Sequence, residues 1–203
     1  MMKRNKYSAG AVKFGFWYLE FKKTIGFLVD GKTWDDIKLL SKEENIYGAS
    51  TPARGDMIFS TVKARIVALD ESIFEIFMDS DVSTQKLIAL AGALAHDTLF
   101  FDFVYEVIRE KVIIGINEVS DADIRIFFRD KQDQSEVASK WTEQTLQRLG
   151  RSYKSHLYEA GILDDNKLDD PRRILPPILD PVFSNWLRDY GYEEIGKALE
   201  GVR

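Results

Sequence analysis

The 203-residue sequence contains no cysteine, which excludes disulfide bonds and thiolate metal sites. This absence fits a reducing compartment. The sequence also lacks a hydrophobic segment long enough to cross a membrane: its longest smooth apolar run is the nine residues from Leu87 to Ala95, whereas a spanning helix needs about 20. Lys13 interrupts the apolar part of the N-terminus, and no signal-peptidase site follows it. We therefore expect a cytoplasmic protein that does not enter membranes.

Motifs that carry enzyme chemistry are also missing. There is no phosphate-binding loop, no dinucleotide-binding glycine pattern and no nucleophile elbow. His96 and His156 lie far apart, and the acidic stretch Asp164–Asp170 lacks the glycine and glutamate of a calcium-binding loop. Asp102 and Glu106 stand one helical turn apart, but their Phe and Val neighbours favour the polar edge of a core helix. We expect no enzyme activity, no cofactor, no metal and no small-molecule substrate.

The composition is that of a folded protein with a large core. Hydrophobic residues make up 45% of the chain and include 13 Phe and 4 Trp, which predicts a well-packed interior rather than disorder. The formal net charge is −5 at pH 7, which argues against a protein that coats nucleic acid indiscriminately. The charge is unevenly distributed along the chain, however, and such a distribution permits one local face that binds anions.

Almost every long segment has the periodicity of an amphipathic helix, and several carry helix-start signals. The segment 14–29 is apolar and aromatic at helical spacing. Thr33 and Asp36 form a capping pair before a second helix, and Thr51 followed by Pro52 marks the start of a third. Strand signals are few. The sequence therefore predicts an all-α, mainly helical fold with one short β-hairpin.

The middle of the chain, from Thr84 to Gly115, is its most apolar part. Two successive apolar faces at helical spacing predict a pair of helices buried at the centre of a bundle. The two faces comprise Leu87, Ile88, Ala91, Leu94 and Ala95, and then Phe100, Phe103, Val104, Val107 and Ile108.

Three regions follow from these patterns, and we expect them to pack into one compact body. Residues 1–70 form a three-helix unit that resembles a helix-turn-helix, and residues 71–118 form the central apolar core. Residues 119–203 form a winged-helix-like unit followed by the terminal helices, because their predicted order is helix, short helix, long basic helix and hairpin.

The long basic helix has clear signals at both of its ends. Thr142 is placed as its N-cap, and Trp141 and Leu146 form a hydrophobic staple across that end. Gly161 ends the helix in a left-handed turn that brings the next residue back onto it. A narrow apolar stripe predicts the buried face, which comprises Leu146, Leu149, Tyr153, Leu157 and Ala160.

The same helix has no acidic residue over fifteen consecutive positions, from 144 to 158, whereas surface helices usually mix charges of both signs. Arg148, Arg151 and Lys154 are expected to face away from the apolar stripe, where a winged helix contacts DNA. The alternative, and the commoner case, is the solvated face of an ordinary amphipathic helix. Gly150 costs helix stability and is expected to allow a close approach of another backbone.

Two further pairs of arginines are candidates for nucleic-acid contacts. Arg172 and Arg173 lie on the second arm of the predicted hairpin, where a wing touches the DNA backbone. Arg54 and Arg65 lie on one side of the third predicted helix, which would be the recognition helix of an N-terminal helix-turn-helix. For these first three helices, a structural packing unit is the favoured interpretation.

Three stretches of the sequence resemble the BrxA family, which comprises small accessory proteins of BREX bacteriophage-exclusion systems. They are ENIYGASTPARGDMIFSTVKARI, FFDFVYEVIREK and WTEQTLQRLGRSYKSHLYEAGIL, and the resemblance spans about residues 43–180. It implies an all-helical, NusB-like core with helix-turn-helix-like ends, and double-stranded DNA binding within a defence gene cluster whose other components carry the enzymatic chemistry. The resemblance transfers no site residues, so the basic residues named above rest on the helix pattern.

The sequence thus favours a cytoplasmic, non-enzymatic accessory protein of phage defence that binds double-stranded DNA and other BREX proteins. Two alternatives stay open. One is a scaffold whose basic face meets an acidic protein partner, and the other is RNA binding by analogy with NusB. The salt dependence of binding separates a phosphate ligand from a protein surface.

Overall fold

The computed structural model describes residues 4–164 and 171–202. Within those residues the chain is mainly helical, and its one sheet is a pair of two-residue strands, which confirms the predicted fold class. Short 3-10 turns occupy Gly10–Lys13 and Ala138–Lys140, and the strands are β1 (Glu118–Val119) and β2 (Arg172–Arg173). The α-helices are α1 (Tyr18–Val29), α2 (Trp34–Glu43), α3 (Pro52–Val67), α4 (Ile73–Asp79), α5 (Val82–His96), α6 (Thr98–Phe103), α7 (Arg109–Ile113), α8 (Asp121–Gln134), α9 (Glu143–Glu159), α10 (Pro181–Asp189) and α11 (Glu193–Glu200).

The helix starts predicted from capping residues are confirmed. The Thr33 hydroxyl accepts the N–H of Asp36, and the Asp36 carboxylate accepts the N–H of Thr33 at 2.8 Å, so the pair is a reciprocal capping box. The Thr51 hydroxyl caps α3 by accepting the N–H of Arg54 at 3.2 Å. These side chains satisfy main-chain N–H groups that have no partner inside the helix.

The prediction of a helix from residue 14 is wrong at its N-terminal end. Trp17 has a φ of 55° in the left-handed region, so α1 begins only at Tyr18. The preceding residues 4–17, here called the N-terminal strap, cross the molecule instead of extending the helix. Their placement matters because the strap contacts α3, α6 and α9 through buried groups.

The predicted pair of central helices is confirmed. Eleven of the fifteen residues of α5 and every residue of α6 are buried. Asp97 separates them and caps α6 by accepting the N–H of Phe100 at 3.1 Å, and a π-helical turn over Val104–Ile108 joins α6 to α7. No single helix in the described part of the chain is long and apolar enough to cross a membrane; the two central segments reach that length only together, and they are bent by 112°.

Two elements, α4 and β1, are not predicted by the sequence. Helix α4 turns Ile73 and Phe77 into the core, where the Phe77 ring lies 5.6 Å from that of Phe21. Strand β1 pairs antiparallel with β2, so that Glu118 lies opposite Arg173. Helix α4 has seven residues and strand β1 has two, too few for a periodic pattern to be recognised in the sequence.

The predicted hairpin after α9 is present where the structure describes it. Its arms are joined by an antiparallel bridge between Leu163 and Ile174, and the N–H of Leu175 donates to the carbonyl of Ile162 at 2.7 Å. The predicted polar turn from Asp164 to Asp170 lies almost wholly outside the described residues. Because β2 pairs with β1 on its other side, the small sheet ties the chain before α8 to the chain after α9.

The inner face of α9 is anchored by a cluster of aromatic rings. Tyr153 is fully buried, with its ring stacked on Phe100 at 4.4 Å and on Phe103 at 5.7 Å. Its hydroxyl has no hydrogen-bond partner among the residues described. A buried polar group without a partner loses its hydration without compensation. The hydroxyl of Tyr153 is therefore expected to destabilise the folded state, whereas its ring stabilises it by packing.

Helices α8 and α9 touch at Gly150. A Cβ atom at this position would lie 2.8 Å from Cγ2 of Ile124, which is shorter than any ordinary carbon contact. The expected close approach is therefore real, but the partner is a side chain of α8 and not another backbone. The glycine sets the distance between the two helices.

The N-terminal strap is held by buried polar contacts with distant parts of the chain. The carboxylate of Asp102, which is almost fully buried, accepts hydrogen bonds from the Arg4 guanidinium at 2.6 Å and from the Tyr7 hydroxyl at 2.7 Å. His156 of α9 contacts the Phe14 carbonyl at 3.1 Å. Because a carbonyl only accepts, Nε2 of His156 carries the proton in this contact.

We predict opposite effects from removing two tyrosine hydroxyl groups. Tyr153→Phe should leave the protein equally stable or stabilise it by up to about 1 kcal/mol, because it removes an unpaired buried hydroxyl. Tyr7→Phe, the matched control, should destabilise it by about 1 kcal/mol or more, because Asp102 loses a donor. Urea unfolding monitored by circular dichroism measures both. A Tyr153→Phe variant less stable than the Tyr7→Phe variant would show that the Tyr153 hydroxyl has a partner.

We also predict that His156 makes stability depend on pH. Burial, and secondarily the charge of Arg65, lower the pKa of His156 to about 3 from its ordinary 6.5. The unfolded chain therefore binds more protons between these values, and the stabilisation present above pH 6.5 is lost as the pH falls. The loss should be up to about 1.4 kcal/mol per pH unit.

The comparison of wild type with His156→Gln at pH 7 and pH 5 isolates this effect, because glutamine keeps a donor but does not titrate. The decrease in unfolding free energy between the two pH values should be larger in the wild type. Burial also raises the pKa of Asp97 to about 6, which acts in the opposite direction but in both proteins. Equal decreases would mean that His156 is not buried in its neutral form.

Candidate nucleic-acid interface

The basic helix forms as its end signals predict. The Thr142 hydroxyl accepts the N–H of Thr145 at 3.2 Å. At the other end Gly161 has a φ of 85°, and the N–H of Ile162 donates to the carbonyl of Leu157 at 2.8 Å. This is the bond pattern of a Schellman turn. Both ends of α9 are therefore defined by local hydrogen bonds.

The outward side of α9 carries a polar ridge. Gln144, Arg148 and Arg151 are exposed and lie at spacings of four and three residues, so they share one face of the helix. This face lies opposite the predicted apolar stripe, all of whose members are buried. We call these three residues the α9 ridge; neither arginine forms an ion pair within the described part of the chain.

Lys154 does not belong to this ridge, and the expectation that it faces outward is wrong. Its side chain is buried, with the residue only 5% exposed, and its ammonium group forms an ion pair with Asp121 of α8. The cause is its position one turn after Gly150, on the side of α9 that meets α8. Lys154 joins the two helices, and its charge is neutralised there.

A groove of about 1030 Å³ lies between α8 and α9 beside the ridge. Arg125 and Arg129 line it from α8, and Arg151 lines it from α9. All three are exposed, and none forms an ion pair or hydrogen bond in the described residues. Arg125 and Arg129 are not among the residues predicted from the sequence, although their spacing of four residues in the stretch DADIRIFFRDK indicates a shared helix face.

The acidic residues of the groove do not neutralise these arginines. Asp121 and Glu143 are the carboxylates in its lining. Asp121 pairs with Lys154, and Glu143 accepts a long hydrogen bond from Gln147 at 3.4 Å. Among the described lining residues cations therefore outnumber carboxylates, a balance that favours an anionic ligand.

The two arginines of the predicted wing lie in different environments. Arg172 is only 5% exposed and lines the inner part of the groove, so the expectation of a surface contact is wrong for it. Arg173 is exposed, and its main-chain N–H donates to the Asp164 carboxylate at 3.1 Å. Alternate residues of a strand point to opposite faces, which explains the difference.

Arg54 and Arg65 hold the strap instead of facing the groove. Arg65 is 5% exposed and donates to the carbonyls of Gly15 and Phe16 at 3.0 and 2.7 Å. Burial lowers its pKa to about 10, which still leaves it charged at neutral pH. Arg54 is half-buried with its guanidinium 4.9 Å from the ring centre of Trp17. Arg65 is thus inaccessible to DNA, and the expectation for it is wrong.

The two carboxylates considered as a catalytic pair, Asp102 and Glu106, bind different cations. Asp102 is engaged by the strap, whereas Glu106 forms an ion pair with Lys131 of α8 at 2.6 Å. Across residues 4–164 and 171–202, no three histidine or carboxylate side chains are grouped closely enough to hold a metal ion. Neither carboxylate is therefore available as half of a catalytic pair.

Comparisons with known proteins place the chain in a family. Residues 5–191 match the family model of BrxA. The chain is 34% identical over 180 residues to the BREX protein BrxA of Bacillus cereus (strain H3081.97), an alignment that covers 89% of each chain. A crystal structure of an uncharacterized protein from Magnetospirillum magneticum superposes with a TM-score of 0.81 at 17% identity, over 97% of this chain and 100% of that one, which supports the fold alone. By its match to the family model and its identity to the Bacillus cereus relative, the chain belongs to the BrxA family.

Proposed function

We propose that this protein is a non-enzymatic, cytoplasmic accessory protein of a BREX phage-defence system and that it binds double-stranded DNA. Membership of the BrxA family and the relative named BREX protein BrxA support the defence role. The observation that carries DNA binding is the set of exposed arginines on α8 and α9 that form no ion pair within residues 4–164 and 171–202, in a chain whose net charge is −5. The planar guanidinium group of arginine can donate two parallel hydrogen bonds to one phosphate group.

The topology around these arginines supports the proposal. In chain order, β1 is followed by α8, α9 and the antiparallel arms around Leu163 and Ile174. This is the order of a winged helix, in which the second of the two helices enters the major groove. In this proposal residues 119–203 contain the winged-helix-like unit, α9 is its recognition helix, and the ridge meets the DNA.

The distribution of acidic residues fits the same arrangement. Glu71, Glu75 and Asp79 are exposed around α4, away from the groove. Acid on the ridge would repel phosphate, whereas acid elsewhere supports solubility and limits promiscuous binding. In this proposal the arginines of α8 and α9 meet the DNA, and the acidic residues around α4 take no part in the contact.

A role as a scaffold for other BREX proteins has its own support. Ile178 is 96% exposed, and its neighbours Leu175 and Val182 are also exposed. Such apolar side chains close together on a surface are typical of contacts with other proteins. They lie outside the groove lining, so this role is compatible with DNA binding.

We predict that Arg148→Ala with Arg151→Ala weakens binding to duplexes of unrelated sequence without unfolding the protein, because both side chains are exposed. The log–log dependence of affinity on salt should flatten by about 0.9 for each phosphate that the variant no longer neutralises. Fluorescence anisotropy over a salt series measures both quantities. Lys154 is kept in this variant because it is buried and its loss would disturb the packing of α9 on α8.

The matched control is the triple variant Glu71→Gln, Glu75→Gln and Asp79→Asn, which should bind duplex DNA at least as tightly as the wild type. Double-stranded RNA of the same sequence serves as competitor and should displace DNA poorly. Wild-type affinity in the Arg148 and Arg151 variant would remove α9 from the DNA interface. Tighter binding to double-stranded RNA than to duplex DNA would identify RNA as the ligand instead of DNA.

A further inference from the structure

The groove between α8 and α9 contains two arginines that a recognition helix alone does not require. We propose that Arg125 and Arg129 hold one phosphodiester strand of the duplex across the groove from Arg151. This inference rests on the proposed function and adds a second wall to the DNA site. In this inference α8 binds the DNA backbone, and its contribution does not depend on the DNA sequence.

The spacing of the two α8 arginines suits a repeating anion. They lie four residues apart, one turn of the helix, so their side chains leave the same face about 5 to 6 Å apart. Both are exposed and have no ion-pair partner among the described residues. Regular positive charges on a rigid helix lose less entropy on binding than charges on a loop.

The floor of the groove strengthens these charges. Its buried lining includes the apolar side chains of Phe128 and Leu146 next to Gly150, together with Lys154 and Arg172. The apolar side chains exclude water from part of the groove, and charge interactions are stronger where water is excluded. Lys154 and Asp121 form an ion pair within this lining, so together they add no net charge beside the exposed arginines.

A phosphodiester strand fits this groove better than an acidic peptide does. Arg151 belongs both to the groove and to the α9 ridge, so a ligand in the groove continues onto the surface proposed to meet DNA. In helix-turn-helix proteins the helix before the recognition helix crosses the DNA backbone. Here α8 has that position, and its arginines can bind phosphate with two hydrogen bonds each.

The test uses the full chain and duplexes of several unrelated sequences over a salt series. Arg125→Ala with Arg129→Ala should lower the affinity for every duplex by the same factor and keep their rank order. The log–log salt slope should decrease in magnitude by about 1.8, or about 0.9 for each phosphate released from an arginine. Arg125→Lys with Arg129→Lys should retain most of the slope, because the charges remain.

The matched control is Lys38→Ala with Lys42→Ala, which removes two exposed cations that also lie one turn apart, on α2. It should leave the slope unchanged. If the α8 alanine variant keeps the wild-type slope while the Arg148 and Arg151 variant binds weakly, the assignment of α8 to the DNA backbone is wrong and the proposed function stands. If wild type binds no duplex, both fail.

A short poly-glutamate peptide tests the alternative ligand of the groove, an acidic protein segment. It should bind far more weakly than DNA and should not compete with it. Tight peptide binding that the α8 alanine variant abolishes, without competition from duplex DNA, would identify the groove as a site for an acidic protein segment and would overturn the inference. A change in the rank order of duplexes in the α8 variant would overturn it too, because it would show that these arginines contact bases.

Discussion

The stacking of Tyr153 on Phe100 and Phe103 fixes the orientation of α9, and the basic face depends on that orientation. The rings occupy the inner side of the helix, so the ridge opposite must face solvent. Gly150 adds the second constraint, because the Ile124 side chain of α8 fills the space where a Cβ would lie. Together the two contacts set both the rotation of α9 and its distance from α8, and therefore the width of the groove.

The basic residues of this protein have three different structural roles, which cannot be told apart from the residue type. Arg65 satisfies main-chain carbonyls of the strap in the interior. Lys154 neutralises Asp121 between two helices. Arg125 and Arg129 face solvent, with no ion-pair partner in the described part of the chain. Only the last kind is available to a ligand, so the candidate interface is chosen from the geometry and not from the count of basic residues.

Much of the fold could be predicted from the sequence because its signals are local. The Thr33–Asp36 box, the Thr142 cap and Gly161 each act within one turn, and the structure places all three as expected. The site was harder to predict because it depends on neighbours from other elements. The rotation that turned Lys154 inward depends on α8, and the burial of Arg65 depends on the strap. Strand β1 has two residues and gains its identity only from β2.

The strap has a consequence for how the chain folds. His156 contacts Phe14 across 142 positions of sequence, and Asp102 contacts Arg4 across 98. During synthesis the first residues leave the ribosome long before these partners exist. The Arg65 side chain and the strap carbonyls that it binds can pair early, whereas docking on α9 must wait until His156 has emerged. Attachment of the strap to α9 therefore requires the chain to have been synthesised through His156, whereas the contact of the strap with Arg65 requires less than half of that length.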